Sequence, residues 1–299
     1  MDHPCRLAVV GSVNHDVSVL LARRPGTGET VFGRRVLTAV GGKGANQARA
    51  AAWAGARPLL LARVGEDHGP AMVEELASCG VETAGVAHDP SVPSGTAVIT
   101  VTDDGENAVI VVPGANAELT PQEVLEGLRG RLGAGSVVLA QAEVPTDAIG
   151  AAARAARDSG ARFVLNLAPV VPLDPEVIAL ADPLVVNQSE AAALLGDADD
   201  GAPPTDAGAL LGRARSVVLT LGAGGAAVAT AQEAWTVASP RVPVVDTTGA
   251  GDAFTGVLAA RLAEGCPLRR AVDDATLAGA AAVQVRGAAL PPPSAETRR

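Results

Sequence analysis

The segment from residue 244 to 265, VVDTTGAGDAFTGVLAARLAEG, holds the residues best suited to chemistry in this 299-residue chain. A short apolar run leads to Asp246, two threonines and the small-residue turn Gly249-Ala250-Gly251, after which Asp252 opens a predicted helix. Glycines let the backbone approach a ligand closely, and a helix N-terminus offers unpaired N–H groups together with the positive end of the helix dipole. The segment therefore predicts an anion site. The alternative is a plain glycine turn with Asp252 as a helix cap.

A second glycine-rich segment, AVGGKGANQA at residues 39–48, contains Lys43, the only lysine in a chain with 22 arginines. A bias towards arginine codons is one explanation for that imbalance. The other is a site that needs a compact ammonium group where the broader guanidinium fork does not fit.

Neither segment matches the two best-known glycine motifs for nucleotides. A P-loop has Ser or Thr after its Gly-Lys pair, whereas Gly44 follows Lys43. The run GAGDAF has only the first two glycines of a dinucleotide fingerprint and lies near the C-terminus rather than after the first strand. The P-loop interpretation therefore fails, and the dinucleotide-binding interpretation is weak.

Composition limits the class of protein. The net charge of −10, with no basic cluster, argues against a nucleic-acid partner. No apolar run reaches the length of a membrane span, and the first residues lack the pattern of a signal peptide, so a cytoplasmic location is expected. The three cysteines and four histidines have no metal-ligand spacing, so no structural zinc is expected.

The order of elements predicts an α/β fold. Apolar strand-like runs such as RLAVVGS, SVVLA, RFVLN and PLVVN alternate with helical segments, which favours a mostly parallel sheet flanked by helices. Residues 15–40 and 94–113 break this rhythm with short β-prone pieces, the second a hairpin around DDGEN. We expect them to form a small β-sheet lid inserted in one domain that spans residues 1–299.

Taken together, the early GGKGANQA and the late DTTGAGDAF resemble the two signatures of the ribokinase, or PfkB-type, family of carbohydrate kinases. GSVNHD, LAQAEVP, LVVNQSEAAALLG and VVLTLGAGGAAV agree with the family in the same order. Within the family the resemblance is strongest to the ribose-specific branch. It implies ATP-dependent phosphorylation of D-ribose at the 5-hydroxyl.

The resemblance also implies a role for individual residues. Asp252 matches the catalytic base, beside an anion hole formed by Gly249, Ala250 and Gly251. The residues that match the sugar site are Asn14, Asp16, Gly42, Lys43, Asn46, Glu143 and Asp252. Taken singly, Asn14, Asp16 and Glu143 read equally well as turn or solvated residues.

For the nucleotide, the matching residues are Asn187, Thr220, Gly222, Gly225, Gly251 and Thr276. Glu190 matches the residue that organises Mg²⁺ through water, although a carboxylate in the first turn of a helix has a simpler explanation. The resemblance further implies activation by K⁺, with matching ligands at Asp246, Thr248, Ala282, Val285, Gly287 and Pro291. Pro291 departs from the family, which usually has serine there.

The resemblance also bears on the assembly of the protein, and two alternative functions stay open. The family's lids pack together, so a homodimer through the lid is expected. A PfkB-type kinase for deoxyribose, fructose or pseudouridine would keep Asp252 and the anion hole while changing the sugar contacts. A nonenzymatic sugar-binding protein on the same fold is the alternative from another class.

Overall fold

The computed structural model describes residues 5–104, 106–196, 203–288 and 290–291. Its strands are β1 Leu7–Val10, β2 Asn14–Leu21, β3 Arg35–Gly41, β4 Leu59–Gly65, β5 Glu82–Asp89, β6 Gly95–Thr102, β7 Asn107–Val112, β8 Val137–Gln141, β9 Arg162–Asn166, β10 Leu184–Asn187, β11 Ser216–Thr220, β12 Ala226–Thr230 and β13 Ala234–Val237. Its α-helices are α1 Lys43–Trp53, α2 Gly69–Ser78, α3 Pro121–Leu128, α4 Thr146–Ser159, α5 Pro175–Ile178, α6 Gln188–Leu195, α7 Ala250–Ala263 and α8 Leu268–Ala282.

Nine strands form one central sheet in the order β13-β12-β11-β10-β9-β8-β1-β4-β5. The strands from β11 to β5 in that order pair in parallel, and β12 and β13 add an antiparallel edge. The predicted α/β fold with a mostly parallel sheet is therefore confirmed.

Helices cover both faces of this sheet, which explains why its strands are continuously apolar. All four residues of β1, LAVV, are buried. Leu7 and Val9 pack into a core that includes residues of α1, α7 and α8, whereas Ala8 and Val10 pack into the core on the opposite face with α3 and α4. Each face thus has its own hydrophobic core.

The lid strands form a second sheet in the order β3-β2-β6-β7, with β2 and β6 parallel and the outer pairs antiparallel. These strands lie almost entirely within the two predicted segments, and β6 and β7 pair as the antiparallel strands of the predicted hairpin, of which Gly105 lies outside the described residues. The predicted small second sheet is confirmed.

The carboxyl ends of the parallel strands bring the polar residues together. Asn166 ends β9 and pairs in register with Gln141 at the end of β8, while Asn187 ends β10 beside Thr220 of β11. Open α/β sheets bind ligands at this edge. Within the described ranges, no helix has the length and apolar character needed to cross a membrane.

Candidate active site

Asp252 lies in the first turn of α7 and points towards α1. Its Oδ2 accepts a hydrogen bond from Asn46 Nδ2 at 3.0 Å, and its Oδ1 accepts one from Gln47 Nε2 at 3.0 Å. The side chain is only 7% exposed. Gly249, not Asp252, is the N-cap of α7. The carboxylate is therefore held by a neighbouring helix, and the simple cap interpretation is wrong.

The N-terminus of α7 presents unused backbone donors beside this carboxylate. Gly249 has a φ of 73°, which turns the chain sharply into the helix. The N–H of Ala250 donates to the Thr247 carbonyl at 3.3 Å, whereas those of Gly251 and Asp252 find no acceptor among the described residues. Two free N–H groups at the positive end of a helix can bind an anion such as a phosphoryl group.

Lys43, the first residue of α1, supplies the positive charge of the site. The negative charge of Asp252 raises the pKa of Lys43 above its usual value against the opposing effect of burial, and Glu143 and Glu190 act in the same direction. The ammonium group therefore stays protonated at neutral pH. It is surrounded by carboxylates from three different elements of the fold.

The glycine-rich segment before α1 is anchored at the end of β1. Glu143 Oε2 accepts hydrogen bonds from the Ser12 hydroxyl at 2.6 Å and from the Lys43 N–H at 3.1 Å. A Cβ on Gly44 would lie 2.5 Å from the backbone carbon of Gly11, so only glycine permits this approach. Glu143 thus fixes the start of α1 as well as facing the site.

Asn14 is oriented by Asn116, a residue that the sequence analysis did not single out. Asn116 Oδ1 accepts from the Val13 N–H at 2.8 Å, which fixes the orientation of its amide. Its Nδ2 then donates to Asn14 Oδ1 at 2.7 Å. Asn14 is consequently left with its Nδ2 group as the donor available to a ligand.

Within the described ranges, the carboxylate of Asp16, on β2, lacks a hydrogen bond to one of its oxygens. Its Oδ1 is buried and has no hydrogen-bond partner among the described residues. Burial, with the negative charges of Glu143 and Asp252, raises the pKa of Asp16 to about 6 even though the positive charge of Arg49 opposes this. A Cβ on Gly41 would lie 1.9 Å from Asp16 Oδ2, so glycine at that position makes room for the carboxylate. Such a group is suited to accept hydrogen bonds from hydroxyls.

Asn187 and Glu190 form a capping box at the start of α6. Asn187 Oδ1 accepts from the Glu190 N–H, and Glu190 Oε2 accepts from the Asn187 N–H, both at 2.8 Å. One oxygen of Glu190 therefore has the simpler role considered for it, that of a carboxylate that stabilises the first turn of a helix. Burial raises the pKa of Glu190, although the hydrogen bond from Asn187 and the charge of Lys43 oppose the shift.

Three of the residues predicted to bind the nucleotide differ in exposure and in the contacts they already make within the protein. Gly222 is exposed in the turn between β11 and β12. Gly225 is buried, and a Cβ there would lie 1.9 Å from the Val237 carbonyl oxygen, so this glycine is required by packing. The Thr276 hydroxyl donates to the Val272 carbonyl of its own helix at 2.8 Å.

Asp246, a predicted cation ligand, accepts hydrogen bonds from two other residues predicted to bind the cation. Its Oδ1 accepts from the Thr248 N–H and its Oδ2 from the Gly287 N–H, both at 2.9 Å. Burial acts to raise the pKa of Asp246, but these hydrogen bonds outweigh it and hold the pKa below its usual value. Pro291 turns its carbonyl oxygen to Trp53 Nε1 of α1 at 2.6 Å.

In the part of the chain that the structure describes, no three His, Cys, Asp or Glu side chains are grouped to hold a metal ion. The donors that are present fit two other kinds of cation site. Mg²⁺ keeps several waters and is commonly bound by one or two carboxylates with substrate phosphates, which suits Glu190, whose Oε1 is not used by the capping box. The Asp246 carboxylate, whose pKa is held below its usual value, offers an ionised oxygen that suits a weakly hydrated monovalent cation.

Gln47, Asn166 and Ser12 also belong to the site, and sequence reasoning missed all three. Gln47 donates to both Asp252 and Asn166, and Ser12 donates to Glu143. Their positions in the sequence could have indicated them, because Gln47 follows Asn46 in the glycine-rich segment and Asn166 ends a predicted buried strand. A pattern read along the chain does not show which strand end faces which helix.

These elements together define a class of protein. A helix N-terminus with two N–H groups that have no acceptor among the described residues, a buried carboxylate and a lysine meet at the carboxyl edge of a parallel sheet, next to a small β-sheet. This is an arrangement for phosphoryl transfer to an acceptor that the carboxylate can deprotonate.

Comparison with known proteins agrees with that class. The family model described as "pfkB family carbohydrate kinase" matches residues 5–295. The chain belongs to this family.

Named relatives fall within the same group. The ribokinase of Bacillus subtilis is 35% identical over 283 residues, which cover 94% of each protein. The deoxyribokinase of Salmonella typhi is 32% identical and covers 97% of this chain and 96% of the relative. The structure of Arabidopsis thaliana ribokinase complexed with ribose and ATP superposes with a TM-score of 0.83 at 31% identity, covering 96% of this chain and 94% of that one.

Proposed function

We propose that this protein transfers the γ-phosphoryl group of ATP to the 5-hydroxyl of D-ribose, forming ribose 5-phosphate and ADP. The observation that carries the proposal is the pairing of the buried Asp252 carboxylate with the free N–H groups of Gly251 and Asp252 in one helical turn. Ribose is favoured among sugars because ribokinases match the chain over nearly its whole length.

The residues of the site account for each requirement of the transfer. Asp252 Oδ2 takes the proton as the 5-hydroxyl O–H bond breaks, and the freed oxygen forms a bond to the γ-phosphorus. The bond from that phosphorus to the bridging oxygen breaks, and the electron pair leaves with ADP. The N–H groups of Gly251 and Asp252 at the α7 N-terminus, together with Lys43, stabilise the charge on the phosphoryl oxygens. Of the predicted anion hole, the Ala250 N–H is already bonded to Thr247, and Gly249 provides the turn into the helix.

The sugar would lie between the lid and the glycine-rich segment. Asn14 offers a donor and Asp16 an acceptor from β2, while Gly42 and Asn46 belong to the start of α1, to which Glu143 is hydrogen-bonded. The orphaned Asp16 Oδ1 supports this placement, because a sugar hydroxyl would supply the missing hydrogen bond.

The nucleotide would lie along the ends of β10 and β11, near Asn187, Thr220, Gly222 and Gly225, with Thr276 on the neighbouring α8. Glu190 would hold water molecules of Mg²⁺, which when bound neutralises charge on the phosphates. Its capping box keeps that carboxylate in a fixed place at the start of α6.

A monovalent cation, K⁺, would bind near the anion hole through Asp246, Thr248 and the carbonyls of Ala282, Val285, Gly287 and Pro291. The hydrogen bonds that Asp246 makes to Thr248 and Gly287 support this set, because they join the two segments that would supply ligands. The Pro291 carbonyl already accepts a hydrogen bond from Trp53, and its second lone pair is left for the cation.

Replacing K⁺ with a large organic cation such as tetramethylammonium should lower kcat several-fold at saturating ribose and ATP. The reason is that a bulky ion cannot enter a ring of backbone carbonyls beside the anion hole. Initial rates at matched ionic strength measure the effect. Equal rates in both salts would rule out the cation site.

The pKa of Asp16 sets the pH dependence of sugar binding. Above pH 7 the carboxylate is ionised and accepts hydrogen bonds from sugar hydroxyls, so KM for ribose should be low and constant. As the pH falls through about 6 the group is protonated. KM should then rise, by about tenfold at pH 5, from the fraction left ionised. Steady-state kinetics from pH 5 to 8 measure this.

The Asp16→Asn variant is the control for that experiment. An amide does not titrate in this range, so the variant should have a raised KM that is nearly independent of pH. A wild-type KM that stays constant down to pH 5 would contradict the assignment.

We also propose a homodimer formed through the lid. The exposed apolar residues of the small sheet support it, namely Val36, Leu37, Val109, Ile110, Val111 and Val112. Burying such a patch against a second copy removes apolar surface from water. Sedimentation velocity, which reports mass in solution, tests this directly.

A substrate screen tests the proposed activity. ATP consumption is followed with ribose, deoxyribose, fructose, pseudouridine and adenosine at equal concentrations. Ribose should give the highest kcat/KM. A higher value for deoxyribose or a nucleoside would overturn the substrate assignment while keeping the kinase, and no consumption with any acceptor would overturn both.

A further inference from the structure

Gln47 connects the catalytic carboxylate to the central sheet. It is fully buried on α1, and its Nε2 donates to Asp252 Oδ1 at 3.0 Å and to Asn166 Oδ1 at 2.9 Å. Asn166, at the end of β9, in turn donates from Nδ2 to the Val185 carbonyl at 3.1 Å. A continuous chain of hydrogen bonds thus runs from the backbone of β10 to Asp252.

The backbone carbonyl of Val185 determines which group donates and which accepts in each of these hydrogen bonds. The Val185 carbonyl can only accept, so Asn166 must turn its Nδ2 towards it and its Oδ1 towards Gln47. Gln47 must then present its NH₂ group, which has two hydrogens. One goes to Asn166 and the other to the Asp252 carboxylate. No alternative orientation of the two amides satisfies all three acceptors.

The two oxygens of Asp252 are consequently not equivalent. Oδ1 is held by Gln47, which is buried and bonded to the sheet. Oδ2 is held by Asn46, which is half-buried and is a sugar contact in the proposed function. A carboxylate oxygen can accept more than one hydrogen bond, so an acceptor hydroxyl can bind Oδ2 beside Asn46 while Gln47 holds Oδ1.

We propose that Gln47 and Asn166 are positioning residues that fix the Asp252 carboxylate so that Oδ2 alone receives the proton. The inference rests on the proposed function, since it assumes that Asp252 is the base. Other charged groups also act on this carboxylate, namely Lys43 on α1, Asp16 on β2 and Glu190 on α6. Gln47 differs from these because it contacts the carboxylate directly.

The Gln47→Met variant tests the proposal. Methionine has nearly the same length but donates no hydrogen bond. We expect kcat to fall by about 10- to 100-fold because the base is less well placed, with KM for ribose nearly unchanged. The acidic limb of the kcat profile, measured at saturating ribose so that the titration of Asp16 does not enter through KM, should move to higher pH, because a carboxylate that has lost a hydrogen bond is protonated more readily.

A second variant, Asn166→Leu, breaks the same chain one step further away. If the two residues act as one unit, the double variant should be about as slow as Gln47→Met alone rather than showing the product of the two losses. Should either single variant not fold, as judged by circular dichroism and thermal unfolding, the other still gives the kcat, KM and pH readouts.

Gln122→Met is the control. Gln122 lies on α3, on the opposite face of the sheet from α1, and its Nε2 donates to Glu126 Oε1 at 2.9 Å. The same substitution thus removes a glutamine–carboxylate hydrogen bond outside the site, so kcat and the pH profile should stay at wild-type values. The proposal is overturned if Gln47→Met keeps wild-type kcat, or if kcat falls no further than in the control and the acidic limb does not move.

Wild-type turnover of ribose in the same assay separates this test from that of the proposed function. If ribose is not phosphorylated, the proposed substrate fails. The variants are then compared on the acceptor that the screen identifies, and the ratio of variant to wild-type kcat still decides the role of Gln47.

Discussion

The Asp252→Asn variant should lose about 10²- to 10⁴-fold in kcat, the usual contribution of a general base. Asparagine has the same size and keeps an oxygen that can accept the hydrogen bond from Gln47. Its amide nitrogen cannot take a proton from the sugar hydroxyl. The fold and ribose affinity should therefore be close to wild type, which calorimetric titration and thermal unfolding would measure alongside kcat.

A matched control for this variant is Asp147→Asn. Asp147 also lies in the first turn of a helix, α4, but it is exposed. Its substitution should leave kcat unchanged. Near wild-type turnover in Asp252→Asn would exclude this carboxylate as the base and with it the proposed mechanism.

The Lys43→Met variant should have the second largest effect, a loss of about 10²- to 10³-fold in kcat, comparable to the removal of one preorganised charge-stabilising donor. The raised pKa of Lys43 keeps it cationic among Asp252, Glu143 and Glu190. Without it, these carboxylates repel the incoming phosphates. The KM for ATP should rise together with the fall in kcat.

The Lys43→Arg variant separates the contribution of the positive charge to kcat from that of the compact shape of the ammonium group. Arginine restores the positive charge but presents a broad fork in place of a compact ammonium group. An intermediate kcat would show that both matter and would explain why one lysine persists in an arginine-rich chain. If Lys43→Met and Lys43→Arg both match wild type, the lysine has no part in the transfer.

The fold was largely predictable from local pattern. Apolar runs such as residues 7–10, buried on both faces, are typical of a parallel sheet covered by helices, and the alternating runs on either side of DDGEN are typical of a hairpin. These signals are contained within ten or twenty residues. The pairing of β2 with β6 in parallel, 81 residues apart at Asn14 and Gly95, is not local and could not be read from periodicity.

The candidate site was predictable where its residues form motifs. The glycine-rich segment around Lys43 and the turn before Asp252 stand out by their spacing, but their roles were predicted only from the resemblance to the family. The structure adds that motif residues often have a structural task as well. The Asn187 and Glu190 pair is a capping box, and Gly225 is needed for close packing against Val237.

Contacts between distant parts of the chain account for what the sequence analysis missed. Gln47 and Asn166 are 119 positions apart, and Asn14 and Asn116 are 102 apart. Trp53 and Pro291, 238 positions apart, meet at a predicted cation ligand. In each pair the residue types are ordinary, and only the fold shows that they hydrogen-bond.

The most direct test of the proposed transfer is the ³¹P NMR spectrum of the product made from ATP and D-ribose. Phosphorus on the 5-oxygen couples to the two hydrogens of C5, whereas phosphorus on the 1-oxygen couples to the single hydrogen of C1. Transfer to the 5-hydroxyl should give a new monoester signal split by two hydrogens, formed in step with ADP. A signal split by one hydrogen, or ADP formed with inorganic phosphate alone, would contradict it.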